Sequence, residues 1–493
     1  MIVKRFHDAK LAQTSYLIGS ADVRQAIVVD PNRDIAPYLA AAAADGLRIS
    51  HVTETHIHAD FVSGSRELAH ATGAALYLSD EGGPDWRYGY ANEAAVLLAD
   101  GDSFDVGRVR FDVLHTPGHT PEHLTFFVTD TATAAEPVAA MTGDFVFVAD
   151  VGRPDLLERA AGLAGTMEQA ARSLFQSLHR LRAYPDYLQI WPGHGAGSLC
   201  GKGIGSMPQS TLGYERRFNW AFQIDDEGQF VRQVLEGQSE PPRYFATLKQ
   251  VNKEGPRLLG AVSPPQRLPW PRVRTLIESG ELVVDTRAAS DYAHAHLPGT
   301  INIPLNRTFT TWAGWLVPYT RDFYLIVDDR CTHCLAEAIH DLATIGLDRV
   351  GGYFGADIIQ ALASSGAEIG RVPHVDAASL AARLRAGEVN VVDVRSAAEW
   401  ESGHIPGARH IPLGSLGEAA SSLAPNQPVV VHCQGGGRSA IAASVLKARS
   451  SLVVSDFTGG FSEWQAVGYP VERGIGAPAA MPSARPIDRD PAM

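Results

Sequence analysis

Apolar and polar positions set out two kinds of segment from residue 1 to about 240. Short apolar runs at Ala26–Asp30, Ala75–Leu78, Val109–Leu114 and Leu124–Val128 predict strands, each followed by a polar turn. Between such runs lie helical stretches. Met167–Leu181 carries Leu174, Leu178 and Leu181 at helical spacing. Gly101-Asp102-Ser103 and Thr116-Pro117-Gly118 read as turns. Around 237–270 proline and glutamate become frequent (Glu240-Pro241-Pro242, then Pro264-Pro265), which predicts a linker over 241–264.

Beyond the linker the chain repeats itself. Val283–Leu305 and Val391–Leu413 align without a gap at an offset of 108 residues. Each copy predicts a buried strand ending in Asp-x-Arg, a helix, His-x-Pro-Gly, a short strand, and a third strand entering a loop and helix. Strand–helix alternation predicts α/β domains with parallel sheets, over 265–372 and 373–475. A proline- and alanine-rich end, 476–493, predicts a flexible tail.

Composition adds exclusions. The chain has 493 residues, 45% of them hydrophobic and 20% charged, as expected of globular domains, and its length suggests three or four. A net charge of −13 without a long basic stretch argues against a nucleic-acid partner. The first residues are mixed and polar, and no run approaches the roughly 18 apolar residues of a membrane span. Cys200, Cys331, Cys334 and Cys433 are too few for a disulfide framework, so a reducing cytoplasm is the expected location.

Four ligand-type signals follow in order: Thr55-His56-Ile57-His58-Ala59-Asp60-Phe61, His115-Thr116-Pro117-Gly118-His119, Gly143-Asp144 and Pro192-Gly193-His194. Each comes where an apolar strand gives way to a turn, the place where an α/β scaffold gathers ligands distant in sequence. The ordered set resembles the metallo-β-lactamase superfamily over about 1–235. The resemblance implies a four-layer αββα sandwich with metal at one edge, within a domain spanning 1–240. Two branches bear on this chain. The glyoxalase II branch binds two metals, ends its motif in histidine where Phe61 stands here, and hydrolyses thioesters. The persulfide dioxygenase branch binds one Fe(II), and its ligands carry over to His56, His119 and Asp144. Two imidazoles and a carboxylate on one face leave positions open for oxygen chemistry. His58, Asp60 and His194 would then orient ligands or waters from outside, or hold a second metal. One Fe(II) per chain is the expected cofactor, with zinc as the alternative.

The same resemblance implies substrate contacts. Arg153, nine residues past Asp144, holds the place of an arginine that grips a substrate carboxylate in glutathione-using relatives. The loop Gly195–Gly205 departs from the glutathione-type pattern, and its Lys202 suggests a different thiol carrier such as coenzyme A. Cys200 in that loop is either a reactive thiol or incidental. His115 and His123 are either structural or proton shuttles.

In the second repeat copy, Pro428–His432 predicts a strand delivering Cys433 to the turn Gln434-Gly435-Gly436-Gly437-Arg438-Ser439. Backbone N–H groups of the glycines and a helix N-terminus there favour a nucleophilic thiolate. With Asp393-x-Arg395, His404-Ile-Pro-Gly and Gly459-Gly-Phe-Ser-Glu-Trp464, the copy resembles a rhodanese domain. That implies sulfur transfer by Cys433 and Arg438, with Gly435, Gly436, Gly437 and Ser439 around the substrate. The first copy lacks the cysteine; Asp329 is expected in its place, which predicts a silent domain. Cys331-Thr332-His333-Cys334 leaves two readings, a redox pair or half of a metal site.

Together these features resemble persulfide dioxygenase–sulfurtransferase fusions. Expected partners are a thiol persulfide (of glutathione, coenzyme A or a similar thiol), O2, sulfite and thiosulfate, with homo-oligomer formation left open. Two alternatives stand: a zinc-dependent thioester hydrolase with a rhodanese appendage, and a non-oxidative sulfur carrier.

Overall fold

The alternation of side chains along each strand dictates how the first part of the chain stacks. A six-stranded sheet runs in the order β1 (Ile2–Asp8), β2 (Gln13–Ser20), β3 (Gln25–Val29), β4 (Arg48–Thr53), β5 (Ala75–Ser79) and β6 (Val96–Leu98). Seven of the following strands are β7 (Ser103–Val106), β8 (Val109–His115), β9 (Leu124–Asp130), β10 (Ala139–Gly143), the hairpin β11 (Val146–Phe147) and β12 (Asp150–Val151), and β13 (Gln189–Pro192). With β14 (Ser210–Thr211) they give a second sheet in the order β14-β13-β10-β9-β8-β7, the hairpin standing apart.

In β2 and β3, Tyr16, Ile18, Ile27 and Val29 point inward and meet Val109, Phe111, Phe126 and Met141 of the second sheet. Their neighbours Leu17, Ala26 and Val28 point the other way, onto Tyr38, Ala42 and Leu68 of two helices. The outer face of the second sheet likewise places Phe127, Ala140 and Ile190 against Leu174, Leu178 and Phe230. The result is helix, sheet, sheet, helix: the expected αββα sandwich. The helix Met167–Leu181 has the predicted bounds, and burying each of its core leucines contributes about 1.5–3 kcal/mol.

The computed structural model describes residues 1–91, 95–161, 165–261, 264–424 and 427–474; the predicted tail lies outside these. Among the described residues no helix is long and apolar enough to cross a membrane.

The repeated half holds two four-stranded sheets. One comprises β15 (Leu282–Asp285), β16 (Ile301–Asn302), β17 (Phe323–Val327) and β18 (Val350–Gly355), in the order β16-β15-β17-β18. The other comprises β19 (Asn390–Asp393), β20 (Arg409–His410), β21 (Val429–His432) and β22 (Val454–Phe457), in the order β20-β19-β21-β22, with all its pairs parallel.

Packing divides the chain into two compact units that cut across the predicted boundaries. One is Met1–Arg267 with Leu305–Phe323 and Arg330–Tyr353; the other is Leu268–Pro304 with Tyr324–Asp329 and Phe354–Met493. The first repeat copy is therefore shared between them. Within the first unit, buried Arg33 forks onto Asp348 with both bonds at 2.7 Å and also donates to the carbonyls of Ala343 and Arg257. Lys10 holds Glu337 and Asp341, and the Val62 N–H donates to the Thr344 carbonyl at 2.7 Å.

The predicted linker is also corrected. Residues Tyr244–Glu254 form a helix of the first unit that buries Tyr244, Phe245, Leu248 and Asn252. The prolines before it mark the entry to a packed helix rather than a free connector.

Candidate metal centre and sulfur-transfer loop

The ends of four strands, β4, β8, β10 and β13, bring the histidine-bearing turns to one edge of the sandwich. Two bonds tie β2 and the residue before it to the turn after β13: Thr14 N–H to the Gly193 carbonyl at 2.7 Å, and Gly195 N–H to the Ala12 carbonyl at 3.0 Å. Leu124 N–H reaches the Thr55 carbonyl at 2.7 Å. Gly143, at φ +46°, lies so close to this junction that a Cβ would fall 2.4 Å from Thr55 Oγ1.

At this edge His56, His119 and Asp144 are all buried, with one ligand-type atom of each within 4.8 Å of the others. Asp144 Oδ2 lies 3.8 Å from His56 Nε2 and 3.5 Å from His119 Nε2. His56 Nε2 and Asp144 Oδ2 have no hydrogen-bond partner. Their other atoms are spoken for. Thr55 Oγ1 donates to Asp30 at 2.9 Å and so accepts from His56 Nδ1 at 3.0 Å. His119 Nδ1 donates to the Arg153 carbonyl at 3.1 Å. Both tautomers thus leave Nε2 with a free lone pair. Burial, followed by His58 and His119, holds His56 well below the usual imidazole range, and burial lowers His119. Neutral imidazoles and a carboxylate, buried and converging on one point, suit a cation.

Asp60, His194 and Cys200 form a second cluster, again within 4.8 Å of one another. His194 Nδ1 lies 2.7 Å from Asp144 Oδ1 and Nε2 lies 2.7 Å from Asp60 Oδ2. Its Nε2 contact is too poorly aligned to count as a hydrogen bond, so the Asp144 contact is the firmer of the two. Burial opposes charge on His194, but Asp144 and then Asp60 outweigh it and raise the group well above its usual range. Burial would push Asp144 up; His194 outweighs that and holds it below the carboxylate range. Burial, then Asp60 and Asp144, push the Cys200 thiol well up.

His58 lies beside His56, ring centroids 4.2 Å apart, and its Nδ1 is buried without a hydrogen-bond partner. Its Nε2 lies 3.1 Å from Asp30 Oδ1; burial opposes its charge, yet Asp30 and Glu54 hold it up to about 9. Phe61 is fully buried and packs on His58, with ring centroids 4.4 Å apart. Asn252 clamps this turn: it donates to the carbonyls of His58 and Phe61 and accepts from Ser63 N–H. His123 accepts the Asp144 N–H through Nε2 at 3.2 Å and so donates from Nδ1 to Thr116 Oγ1 at 2.9 Å, which positions the Asp144 turn. His115 Nε2 is 2.7 Å from the Pro121 carbonyl, a structural contact.

One substrate-binding expectation, Arg153, is corrected, and Lys202 stays exposed at the loop. Arg153 is buried and saturated. It forks onto Asp155 at 2.8 Å twice, and its remaining N–H groups reach Leu199 and Ser239. No donor is left for a substrate carboxylate. Lys202 donates to the Gln233 carbonyl and lies over the Trp220 ring at 5.8 Å; Cys200, two residues earlier, is the loop residue that enters the cluster.

In the second unit β21 delivers Cys433 to the loop before the helix Gly437–Arg449. Gly436 N–H donates to Cys433 Sγ at 3.1 Å, and Sγ donates to Ser439 Oγ at 3.7 Å. Gly436 has φ +94°, and a Cβ there would lie 2.4 Å from the Thr458 carbonyl oxygen. Gly435 and Gly437 face open space, so the steric demand falls on one glycine of the three. Arg438 forks onto Glu399 at 2.7 and 2.6 Å. Arg395 is held by Asp393, donates to Gln434 at 3.0 Å and lies over Phe461.

The first copy keeps the scaffold without the loop. Arg287 forks onto Asp285 as Arg395 does onto Asp393. The residue standing for Cys433 is corrected, however. Thr286 N–H donates to the Ile326 carbonyl as Val394 N–H does to His432, which puts Val327 at the cysteine position. Asp329 comes two residues later and accepts the Asp357 N–H. Neither residue is a thiol. Cys331 and Cys334 are joined as a disulfide.

Sequence reasoning missed Asp30, Thr55, Glu399 and Asn252. Asp30 ends an apolar strand, the same signal that marked the ligands, and Ser396-x-x-Glu399 is a capping box readable from sequence. Asn252 carries no local signal.

Comparison with known families matches residues 9–194 to the metallo-beta-lactamase superfamily and 376–467 to the rhodanese-like domain. A solved structure, a metallo-beta-lactamase from Staphylococcus aureus subsp. aureus COL, is 39% identical and covers 72% of this chain and 98% of its own, with a TM-score of 0.65. Persulfide dioxygenase ETHE1 of Homo sapiens is 30% identical over 183 residues, 36% of this chain and 63% of that protein. A hydroxyacylglutathione hydrolase of Rhodospirillum rubrum is 31% identical over 185 residues, 36% of this chain and 60% of that protein. The chain thus spans less than two thirds of either of these two curated relatives.

Proposed function

Because the chain belongs to the metallo-beta-lactamase superfamily and carries a rhodanese-like domain, we propose that it is a bifunctional enzyme of sulfide oxidation. The first activity is Fe(II)- and O2-dependent oxidation of a low-molecular-weight thiol persulfide, in which RSSH, O2 and H2O give RSH, sulfite and two protons. The second is transfer of sulfane sulfur at Cys433, with thiosulfate as product.

One observation carries the first half: three ligands converge on one point, and the last position of the motif carries no ligand atom. His56, His119 and Asp144 converge with lone pairs kept open, while Phe61 stands without a ligand atom where the two-metal pattern has its last histidine. These three residues would hold one Fe(II), which when bound supplies O2 chemistry to a sulfur substrate. The chain's own part is orientation. Thr55 fixes His56, the Arg153 carbonyl fixes His119, and His194 fixes Asp144. Phe61 and the buried walls around it exclude water from that side.

At the second site the Cys433 thiolate attacks the outer sulfur of a persulfide, RSH leaves, and a cysteine persulfide remains. Sulfite then attacks its outer sulfur, thiosulfate leaves, and the thiolate returns. The Gly436 N–H, 3.1 Å from Sγ, steadies the negative charge before and after each transfer. Glutathione and coenzyme A are the thiol carriers to compare.

The second reading is a zinc-dependent thioester hydrolase, favoured by the clustering of Asp60, His194 and Cys200 beside the first site. Anaerobically prepared, Fe(II)-loaded protein mixed with glutathione persulfide and O2 tests the choice. Sulfite release with one O2 consumed per persulfide is expected. Hydrolysis of S-lactoylglutathione by zinc-loaded protein, with no O2 uptake on persulfide, would replace the oxidative reading.

A further inference from the structure

The Cys331–Cys334 pair has no part in either reaction above. The two residues are three apart in sequence and bonded to each other, at the start of the eleven-residue helix Cys334–Thr344. A crosslink closing so short a loop removes little freedom from the unfolded chain, so stabilisation is a weak reason for it. The helix is already anchored by other means: Lys10 bonds Glu337 and Asp341, and its Thr344 carbonyl accepts from Val62.

The surroundings suit exchange. Thr332 and His333 between the sulfurs are exposed, the His333 side chain to 77%, and both cysteines are partly exposed. Both ring nitrogens of His333 lie 3.6 Å from Cys331 Sγ, and its Nε2 lies 3.9 Å from Glu337 Oε2. Cys334 is the first residue of the helix, and no side chain caps that end. A helix start favours negative charge on a sulfur placed there. One sulfur thus has a proton donor beside it and the other has a place to hold an electron pair.

We propose that Cys331 and Cys334 form a thiol–disulfide exchange site for low-molecular-weight thiols and their disulfides. A thiolate RS⁻ bonds to Cys331 Sγ, the Cys331–Cys334 bond breaks, and its electron pair leaves on Cys334 at the helix start. A second RS⁻ attacks the sulfur of the R group in this mixed disulfide. RSSR departs, and the electron pair left on Cys331 takes a proton across the 3.6 Å gap from His333. In sum one protein disulfide is reduced by two electrons and two thiols are oxidised to one disulfide; the reverse runs when RSSR is in excess. The proposal does not depend on the metal centre or on Cys433.

The test uses the full-length chain equilibrated with a graded series of reduced to oxidised glutathione, then alkylated and analysed by peptide mass spectrometry. The peptide holding residues 331–334 is expected to pass from no alkyl groups to two across the series. In Cys334→Ser, reduced protein given oxidised glutathione should keep one glutathione on Cys331, whereas the parent, in which Cys334 can displace it, should return to the closed pair and keep none. Three results would overturn the proposal. The wild-type pair could stay closed at every ratio, or Cys334→Ser could take up no glutathione. Alternatively the reduced protein, given zinc alone, could retain one ion that shields this peptide from alkylation and exchange, marking a metal site instead.

Discussion

Asp144 divides its two carboxylate oxygens between His194 and the open point of the site. Oδ1 lies 2.7 Å from His194 Nδ1, whereas Oδ2, without a hydrogen bond, lies 3.5 Å from His119 Nε2. The imidazole therefore sets the direction in which Asp144 faces a cation. Replacing His194 by alanine is expected to weaken iron retention by about 10–100-fold, the usual effect of losing an outer partner of a ligand. Chelator competition measures it; unchanged retention would mean that Asp144 is held by the fold alone.

Phe61 is the residue that separates the one-metal reading from the two-metal one. Phe61→His places an imidazole where the dinuclear pattern has one. The variant loaded with zinc should bind about twice the metal of the parent. It should also lose stability, by about 1–3 kcal/mol, because a fully buried ring packed on His58 is replaced by a smaller polar one. Metal analysis beside a denaturant titration reads both.

These two residues also show how far the sequence carries. His56, His119, Asp144 and His194 were legible because each lies in the turn that follows a strand whose apolar run is local. The apolar runs predicted single strands such as β3, β5, β8 and β9; the αββα layering came only with the family resemblance that the histidine and aspartate turns carry. What escaped depends on distance. Asn252 reaches the His58 turn across 194 residues, from a segment whose prolines suggested a linker. Arg153 sits at the expected place, yet Asp155, Leu199 and Ser239 close around it and only the folded chain shows that its donors are used. The first repeat copy aligns in sequence with the second, but Arg33 and Lys10 hold part of it in the first unit. A pattern that predicts a fold element does not predict which neighbour will bury it.

Glu399 ties the sulfur-transfer loop to acid stability. Burial would raise its carboxyl, but the Arg438 fork and the Ser396 N–H outweigh burial and hold it at about 2, against an ordinary 4.5. A carboxyl lowered in the folded state contributes stability that is complete above about pH 4.5 and lost as pH falls toward about 2. With a third of the side chain exposed, solvent screening reduces the contribution to about 1 kcal/mol. Glu399→Gln should therefore be less stable by about 1 kcal/mol at pH 7, and the gap should close as pH falls through that window. Thiosulfate formation should slow, because Arg438 loses the partner that fixes it beside the loop. Unfolding curves across pH and a sulfite-dependent assay check the two halves.

The two activities should separate by substitution. Cys433→Ala is expected to abolish sulfur transfer and leave persulfide-dependent O2 uptake intact. His119→Ala should do the reverse, because the residues belong to different compact units. Sulfur transfer lost in Cys433→Ala, with no O2 uptake in any variant or in the parent, would instead identify a non-oxidative sulfur carrier.

The central claim is that His56, His119 and Asp144 hold a single iron beside a position emptied of its ligand by Phe61. Metal identity and stoichiometry in protein purified without oxygen test it most directly, by elemental analysis paired with Mössbauer spectroscopy. One mononuclear high-spin Fe(II) per chain, lost in His119→Ala, is the predicted result. Two zinc ions per chain would contradict it.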